Sequence, residues 1–239
     1  MPLDIGLIGL PNVGKSTLFN ALTKGHAEAA NYAFCTVDPN VGIVEVADER
    51  LKKLEMLVNP KSCVGASIRF VDIAGLVRGA HQGEGLGNQF LGHIREADAL
   101  IHVVRCFEHS EITHVDGSVD PIRDIETLET ELLLADLAVL ERAVEHLGKV
   151  VRSNPRSTQK LELATVEKAR ETINRGQSLR SLSLSKEERD ALKGHQLLTI
   201  KPMLFLANMS EGHDPQGGTN YDKLKSHFGE NHVVPVAVG

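Results

Sequence analysis

The octapeptide Gly9-Leu10-Pro11-Asn12-Val13-Gly14-Lys15-Ser16 constrains this chain more than any other stretch. It matches G-x-x-x-x-G-K-[ST], and its flanks fit: the apolar run Leu3–Gly9 reads as a strand and Ser16–Lys24 as a helix. Glycines let backbone N–H groups curl around phosphate oxygens where side chains would obstruct them. Lys15 brings positive charge to the β- and γ-phosphates, Ser16 a hydroxyl to Mg²⁺, and the helix N-terminus a further favourable field. The residues expected to touch a nucleotide here are Asn12, Val13, Gly14, Lys15, Ser16 and Thr17.

The text around this loop alternates between strand and helix. Gly42–Ala47, Ser67–Ile73, Leu100–Arg105, Pro202–Asn208 and His232–Val238 read as strands. Asp48–Val58 and Asn88–Ala97 read as helices, the first from its Asp cap and the spacing of Leu51, Leu54, Leu57 and Val58. The predicted class is α/β, a mostly parallel sheet with helices on both faces. From Pro121 to about Leu192 no strand-like run occurs, and Ile125, Leu128, Leu132, Ala135 and Val139 recur at helical steps. A break at Ser153–Thr158 followed by helix over Gln159–Asn174 predicts an antiparallel helical hairpin inserted into the sheet domain. The expected division is residues 1–120 with 200–239 for the nucleotide domain and 121–199 for the arm. Residues 142–180 carry nine Lys/Arg against four Asp/Glu, so the arm is basic. It is either a solvated helix face or a nucleic-acid surface.

Composition matters mainly for what it excludes. Twenty-six Lys/Arg against 32 Asp/Glu give a formal charge of -6, which disfavours a protein clothed in basic charge for DNA. The absence of Trp and the presence of only two Tyr count against reading single strands by base stacking. No apolar run approaches the roughly 20 residues of a membrane span, and the N-terminus lacks a secretory pattern. Three cysteines without CxxC spacing argue against a disulfide framework or a zinc site. These features together predict a cytoplasmic location, with no membrane partner and no specific DNA.

Three further elements complete a nucleotide site. Asp72-Ile73-Ala74-Gly75 ends a strand at the distance where such an Asp holds the Mg²⁺ shell and the Gly N–H meets the γ-phosphate. Thr36 lies where a switch threonine reaches Mg²⁺. The metal set expected is therefore Ser16, Thr36 and Asp72. Asn208-Met209-Ser210-Glu211 stands where GTPases carry Asn-Lys-x-Asp. Glu is one methylene longer than Asp, so its two-pronged contact with guanine loses its geometry, a loss of about 1–3 kcal/mol or more in discrimination. Asn208, Met209 and Glu211 thus favour ATP over GTP.

Taken with Phe34-Cys35-Thr36 and the segment Gly83-Glu84-Gly85-Leu86-Gly87-Asn88-Gln89-Phe90-Leu91, these motifs resemble the Obg-related translation-factor GTPases. Asn208-Met209-Ser210-Glu211 and His102-Val103-Val104-Arg105-Cys106-Phe107-Glu108 narrow the resemblance to the YchF/OLA1 ATPases, across essentially the whole chain. The resemblance implies slow, ATP-preferring hydrolysis with Mg²⁺ and a role at the ribosome or its RNA. It also implies a hydrophobic residue, Leu76, in place of a catalytic glutamine, with His114 as the substitute group beside Lys15 and Gly75 as catalytic residues. His114 is otherwise a histidine on a surface loop. Asn12 matches an asparagine that helps hold K⁺, the alternative being an ordinary loop residue serving turn geometry. The family continues into a small TGS-like domain beyond the point where this sequence ends. Two other functions fit the same motifs: a nucleotide-gated ribosome or RNA adaptor with negligible hydrolysis, and an Obg-type GTPase.

Overall fold

The computed structural model describes residues 3–24, 40–73, 86–109, 111–154, 157–210 and 219–238. Six strands form one sheet: β1 (Leu3–Ile8), β2 (Val41–Glu45), β3 (Ser67–Asp72), β4 (Ala99–Arg105), β5 (Met203–Met209) and β6 (Val233–Ala237). Their order is β2-β3-β1-β4-β5-β6. All neighbours are parallel except β2 and β3, which run antiparallel with Val41 opposite Val71 and Glu45 opposite Ser67.

That exception has a physical cause in the β2–β3 connection. Its helix, α2 (Glu49–Val58), buries none of its residues. It is therefore not a crossover packed on the sheet, and the connection returns as a long hairpin instead. The helix forms as its Asp48 cap predicts, with the Asp48 carboxylate accepting from the Arg50 N–H and Asn59 closing the other end in a left-handed conformation. The apolar stripe expected to seat it does not do so. Met56 is 82% and Leu57 81% exposed, and Leu54 and Val58 are exposed too.

Elsewhere the two-residue period of the strands loads both faces. Leu7, Phe70, Val103 and Leu206 pack with Leu18 and Phe19 of α1 (Lys15–Lys24). Ile8, Ile73 and Leu100 face the other way, onto Phe90, Leu91 and Ile94 of α3 (Leu86–Glu96) and onto Leu128 and Leu132 of the next helix. Helix α4 (Pro121–Ser153) runs 33 residues, with the Asp120 carboxylate accepting from the Arg123 N–H and proline at its first position. Its first half belongs to the sheet. Its second half pairs with α5 (Lys160–Asn174), where Leu140 and Leu147 meet Val166, Ala169 and Ile173. The hairpin is thus as predicted, and α4 is shared between the sheet core and the arm.

Among the described residues, two further α-helices lie beyond the sequence reading. α6 (Lys186–Leu192) begins with a reciprocal Ser185–Glu188 capping box, and α7 (Thr219–Phe228) covers β5 and β6 through Tyr221 and Leu224. The return from the arm is tied by Asp136 of α4, which is buried. Its carboxylate accepts from the Leu198 N–H at 2.8 Å and from the Thr199 N–H and hydroxyl at 2.8 and 2.7 Å. Glu131 of the same helix is buried too, and Glu129 pairs with Arg180, so these acids do not form a solvated face. Among the described residues no helix is long and apolar enough to cross a membrane.

Candidate nucleotide site

The phosphate loop turns from β1 into α1 at the C-terminal edge of the parallel strands, where open α/β sheets bind ligands. Its two glycines are required by close packing. Gly9 has φ +152, and a Cβ there would lie 2.4 Å from the Val103 carbonyl of β4. Gly14 has φ +97, and a Cβ there would lie 2.4 Å from Asn208 Nδ2. Between them Asn12 adopts φ 61, a conformation asparagine tolerates better than most residues. Val13 is buried against α1, whereas Ser16 and Thr17 open the helix exposed.

Lys15 is buried and donates to the carbonyls of Gly9 at 3.0 Å and Leu10 at 2.9 Å. Burial lowers its pKa to about 8, and the nearby Asp72 carboxylate opposes that shift. An entering phosphate supplies the negative charge that this ammonium lacks. Ser16 donates its hydroxyl proton to Asp72 Oδ2 at 2.7 Å. The other oxygen, Asp72 Oδ1, is buried with no hydrogen-bond partner among the described residues. An orphaned carboxylate oxygen beside a hydroxyl is the hard-oxygen pair that Mg²⁺ takes, so these two residues fit that ion. A cavity of about 450 Å³ opens alongside, lined by Lys15, Ser16, Asp72 and Asn40 and running on to Asp4 and Arg69, which form a bidentate ion pair.

Other expected residues fall elsewhere. Asn208 is buried on the loop side of β5, where its Nδ2 donates to the Val13 carbonyl at 2.9 Å and its Oδ1 accepts from the Val238 N–H at 3.2 Å. It staples the phosphate loop to the end of β6. Met209 is one residue on and so points to the opposite face. It is 7% exposed, among Val104, Ile125, Phe205, Tyr221 and Leu224. Strand alternation thus buries Met209 in the core, on the face of β5 away from the side chain of Asn208. Thr36, Gly75 with Leu76, and Glu211 lie outside the described residues.

His114 also departs from expectation. It is not on an open loop surface but buried, with Nε2 2.9 Å from Asp124 Oδ2 and Nδ1 accepting the Asp116 N–H at 3.1 Å. Its loop still adjoins the phosphate loop, because Asn12 Nδ2 donates to the Thr113 carbonyl at 3.2 Å. Arg105, buried at the end of β4, fixes the start of this loop by donating to the Phe107 carbonyl at 3.1 Å and lying 4.6 Å over the Phe107 ring. The sequence reading missed Asp124. A carboxylate on the first turn of a helix reads as dipole complement, and nothing local reveals the histidine ten residues before it.

Comparison with known proteins agrees with this geometry. A family model described as 50S ribosome-binding GTPase matches residues 4–135, more than half of the chain. The ribosome-binding ATPase YchF of Bacillus subtilis (strain 168) is 49% identical over 239 residues, covering 99% of this chain and 65% of that protein. The Obg-like ATPase 1 of Oryza sativa subsp. indica is 48% identical over 226 residues, covering 95% of this chain and 56% of that one. The solved structure of the Schizosaccharomyces pombe YchF GTPase superposes with a TM-score of 0.83 at 39% identity, covering 99% of this chain and 66% of that chain. The chain thus spans less than two thirds of the length of these relatives. It belongs to the 50S ribosome-binding GTPase family and, within it, to the YchF and Obg-like ATPases.

Proposed function

We propose that this chain is a ribosome-associated nucleotide switch, located in the cytoplasm, that binds ATP in preference to GTP and hydrolyses it slowly. The observation that carries the reading is the grouping of Lys15, Ser16 and Asp72 around a buried carboxylate oxygen that lacks a partner among the described residues. Ser16 and Asp72, with Thr36 as the proposed third ligand, would hold Mg²⁺. When bound, that ion supplies charge compensation at the β- and γ-phosphates. Lys15 exchanges its two carbonyl partners for phosphate oxygens, and the Gly75 N–H is the proposed γ-phosphate donor. His114 is the proposed group that orients the attacking water, since Leu76 has no polar atom to do so.

ATP preference rests on Glu211 in place of the aspartate that grips guanine. Asn208 contributes indirectly, by setting the position of the loop. K⁺ remains a proposal at Asn12, whose amide N–H is already given to Thr113. The names of the relatives, ribosome-binding ATPases among them, favour the ribosome as partner. The basic arm offers that partner a surface.

A second reading, an adaptor with negligible hydrolysis, draws support from the enclosure of His114. Phosphate release from ATP and from GTP, with and without Mg²⁺ and with and without ribosomes, separates the readings. The proposal expects slow Mg²⁺-dependent release from ATP, lower release from GTP and a response to ribosomes. Equal or faster release from GTP would point to an Obg-type GTPase. No turnover under any condition would point to the adaptor.

A further inference from the structure

Asp124 is a buried charge for which the nucleotide site has no use. It sits on the first turn of α4, 2% exposed, and its oxygens have separate partners. Oδ1 accepts from Arg123 Nη2 at 3.2 Å, and Oδ2 faces His114 Nε2 at 2.9 Å. Nδ1 of the same ring accepts the Asp116 N–H, so it carries no proton. The proton of the neutral ring therefore lies on Nε2 and is donated to Asp124. Both nitrogens are spent inside the protein, and neither can orient a water at the phosphate while these bonds hold. Thr113, the preceding residue, is held by Asn12 of the phosphate loop. Two adjacent residues are thus held by different elements, one by the loop that takes the nucleotide and one by the helix that forms the arm.

We propose that Asp124 is a positioning residue that latches His114 in a withdrawn state, so that the arm helix restrains hydrolysis at the phosphate loop. The proposal rests on His114 being the water-orienting group. A carboxylate that merely orients a catalytic histidine leaves the far ring nitrogen open to the reactant. Here the far nitrogen is closed by the Asp116 N–H and the ring is buried, so this is a resting position. Release needs only an exchange of hydrogen bonds. Asp124 then keeps Arg123, so its charge is not abandoned when the ring leaves. Asp124 and the outer arm lie on one unbroken 33-residue helix, which gives a partner holding the arm a rigid lever on the latch. His114, Asp116 and Asp124 are also spaced as metal ligands, their ligand atoms within 4.8 Å of one another. The Arg123 guanidinium already lies 3.2 and 3.7 Å from the two carboxylates, so the cluster has its cation and carries no metal proposal.

The test is ATP hydrolysis by the chain and its Asp124→Asn, His114→Ala and doubly substituted forms. Replacing a charge-assisted bond by a neutral one should raise kcat by about tenfold with KM nearly unchanged. His114→Ala should lower kcat, and the double variant should match it. A fall or no change in kcat for Asp124→Asn, with His114→Ala slow, would overturn the latch. A normal kcat for His114→Ala would instead overturn the reading of His114 itself, and the latch with it. The ¹⁵N imidazole shifts of His114 in the unsubstituted chain give a measure that needs no variant. The Nε2-protonated pattern should be present without nucleotide and should change with MgADP and aluminium fluoride; an unchanged pattern would overturn the proposal.

Discussion

In the phosphate loop, Lys15 rests on the carbonyls of Gly9 and Leu10, and one oxygen of Asp72 has no partner among the described residues. Across the Asn12–Thr113 hydrogen bond, His114 has both nitrogens occupied and Asp124 both oxygens. The first loop holds its charges provisionally, as a binding site must, because a ligand gains most where the protein has left groups under-satisfied. The second loop is closed on itself, as a structural joint is. The contrast identifies where a ligand enters and which neighbouring group must first be released to act on it.

The largest test of that contrast is Lys15→Ala. Losing the ammonium should weaken binding of a non-hydrolysable ATP analogue by about 100-fold or more. Its melting temperature should not fall, since the residue's own bonds in the empty loop are only provisional. Calorimetric titration and a thermal melt check the two halves, and affinity within a few-fold of the starting chain would break the comparison. Asp136→Ala sharpens it from the other side. A satisfied buried carboxylate far from both loops should cost about 3 kcal/mol of stability, read from urea unfolding, with little change in nucleotide affinity. Asn208→Ala lies between these, leaving the Val13 carbonyl and the Val238 N–H without their partner. About 2 kcal/mol of stability should go, together with some affinity.

Much of this was legible because it is contiguous. The loop motif carries its own strand and helix, and the period of Ile125, Leu128, Leu132 and Ala135 gives α4 directly. The sides to which residues point were not. Met209 and Asn208 are neighbours in a motif, yet strand alternation sends them to opposite faces. Asp136 looks like a surface acid until Leu198 and Thr199 arrive 62 and 63 residues later. The stripe of α2 has the right spacing to be buried, but spacing specifies a face and not what covers it. α7 was missed because its apolar positions, Tyr221, Leu224 and Phe228, make too short a pattern within a polar run.

Smaller effects follow from Lys15 and Asn12. With the pKa of Lys15 held near 8 in the empty site and raised by phosphate, affinity should be full below about pH 8 and weaken above it. The slope should approach tenfold per pH unit at most, one proton being taken up on binding. The same lowered pKa makes the empty fold gain stability as pH rises from about 8 towards the unfolded value, the opposite sign. Titrations in buffers of different ionisation enthalpy read the proton directly. Asn12→Ala removes one exposed hydrogen bond and puts alanine at φ 61, so it should cost about 1 kcal/mol. If K⁺ binds there, the variant should also lose any advantage of K⁺ over Na⁺ in turnover.

The most direct test of the whole account is calorimetric titration of this chain with non-hydrolysable ATP and GTP analogues in Mg²⁺. ATP should bind well ahead of GTP, and omitting Mg²⁺ should weaken both. GTP binding ahead of ATP, or affinity indifferent to Mg²⁺, would contradict it.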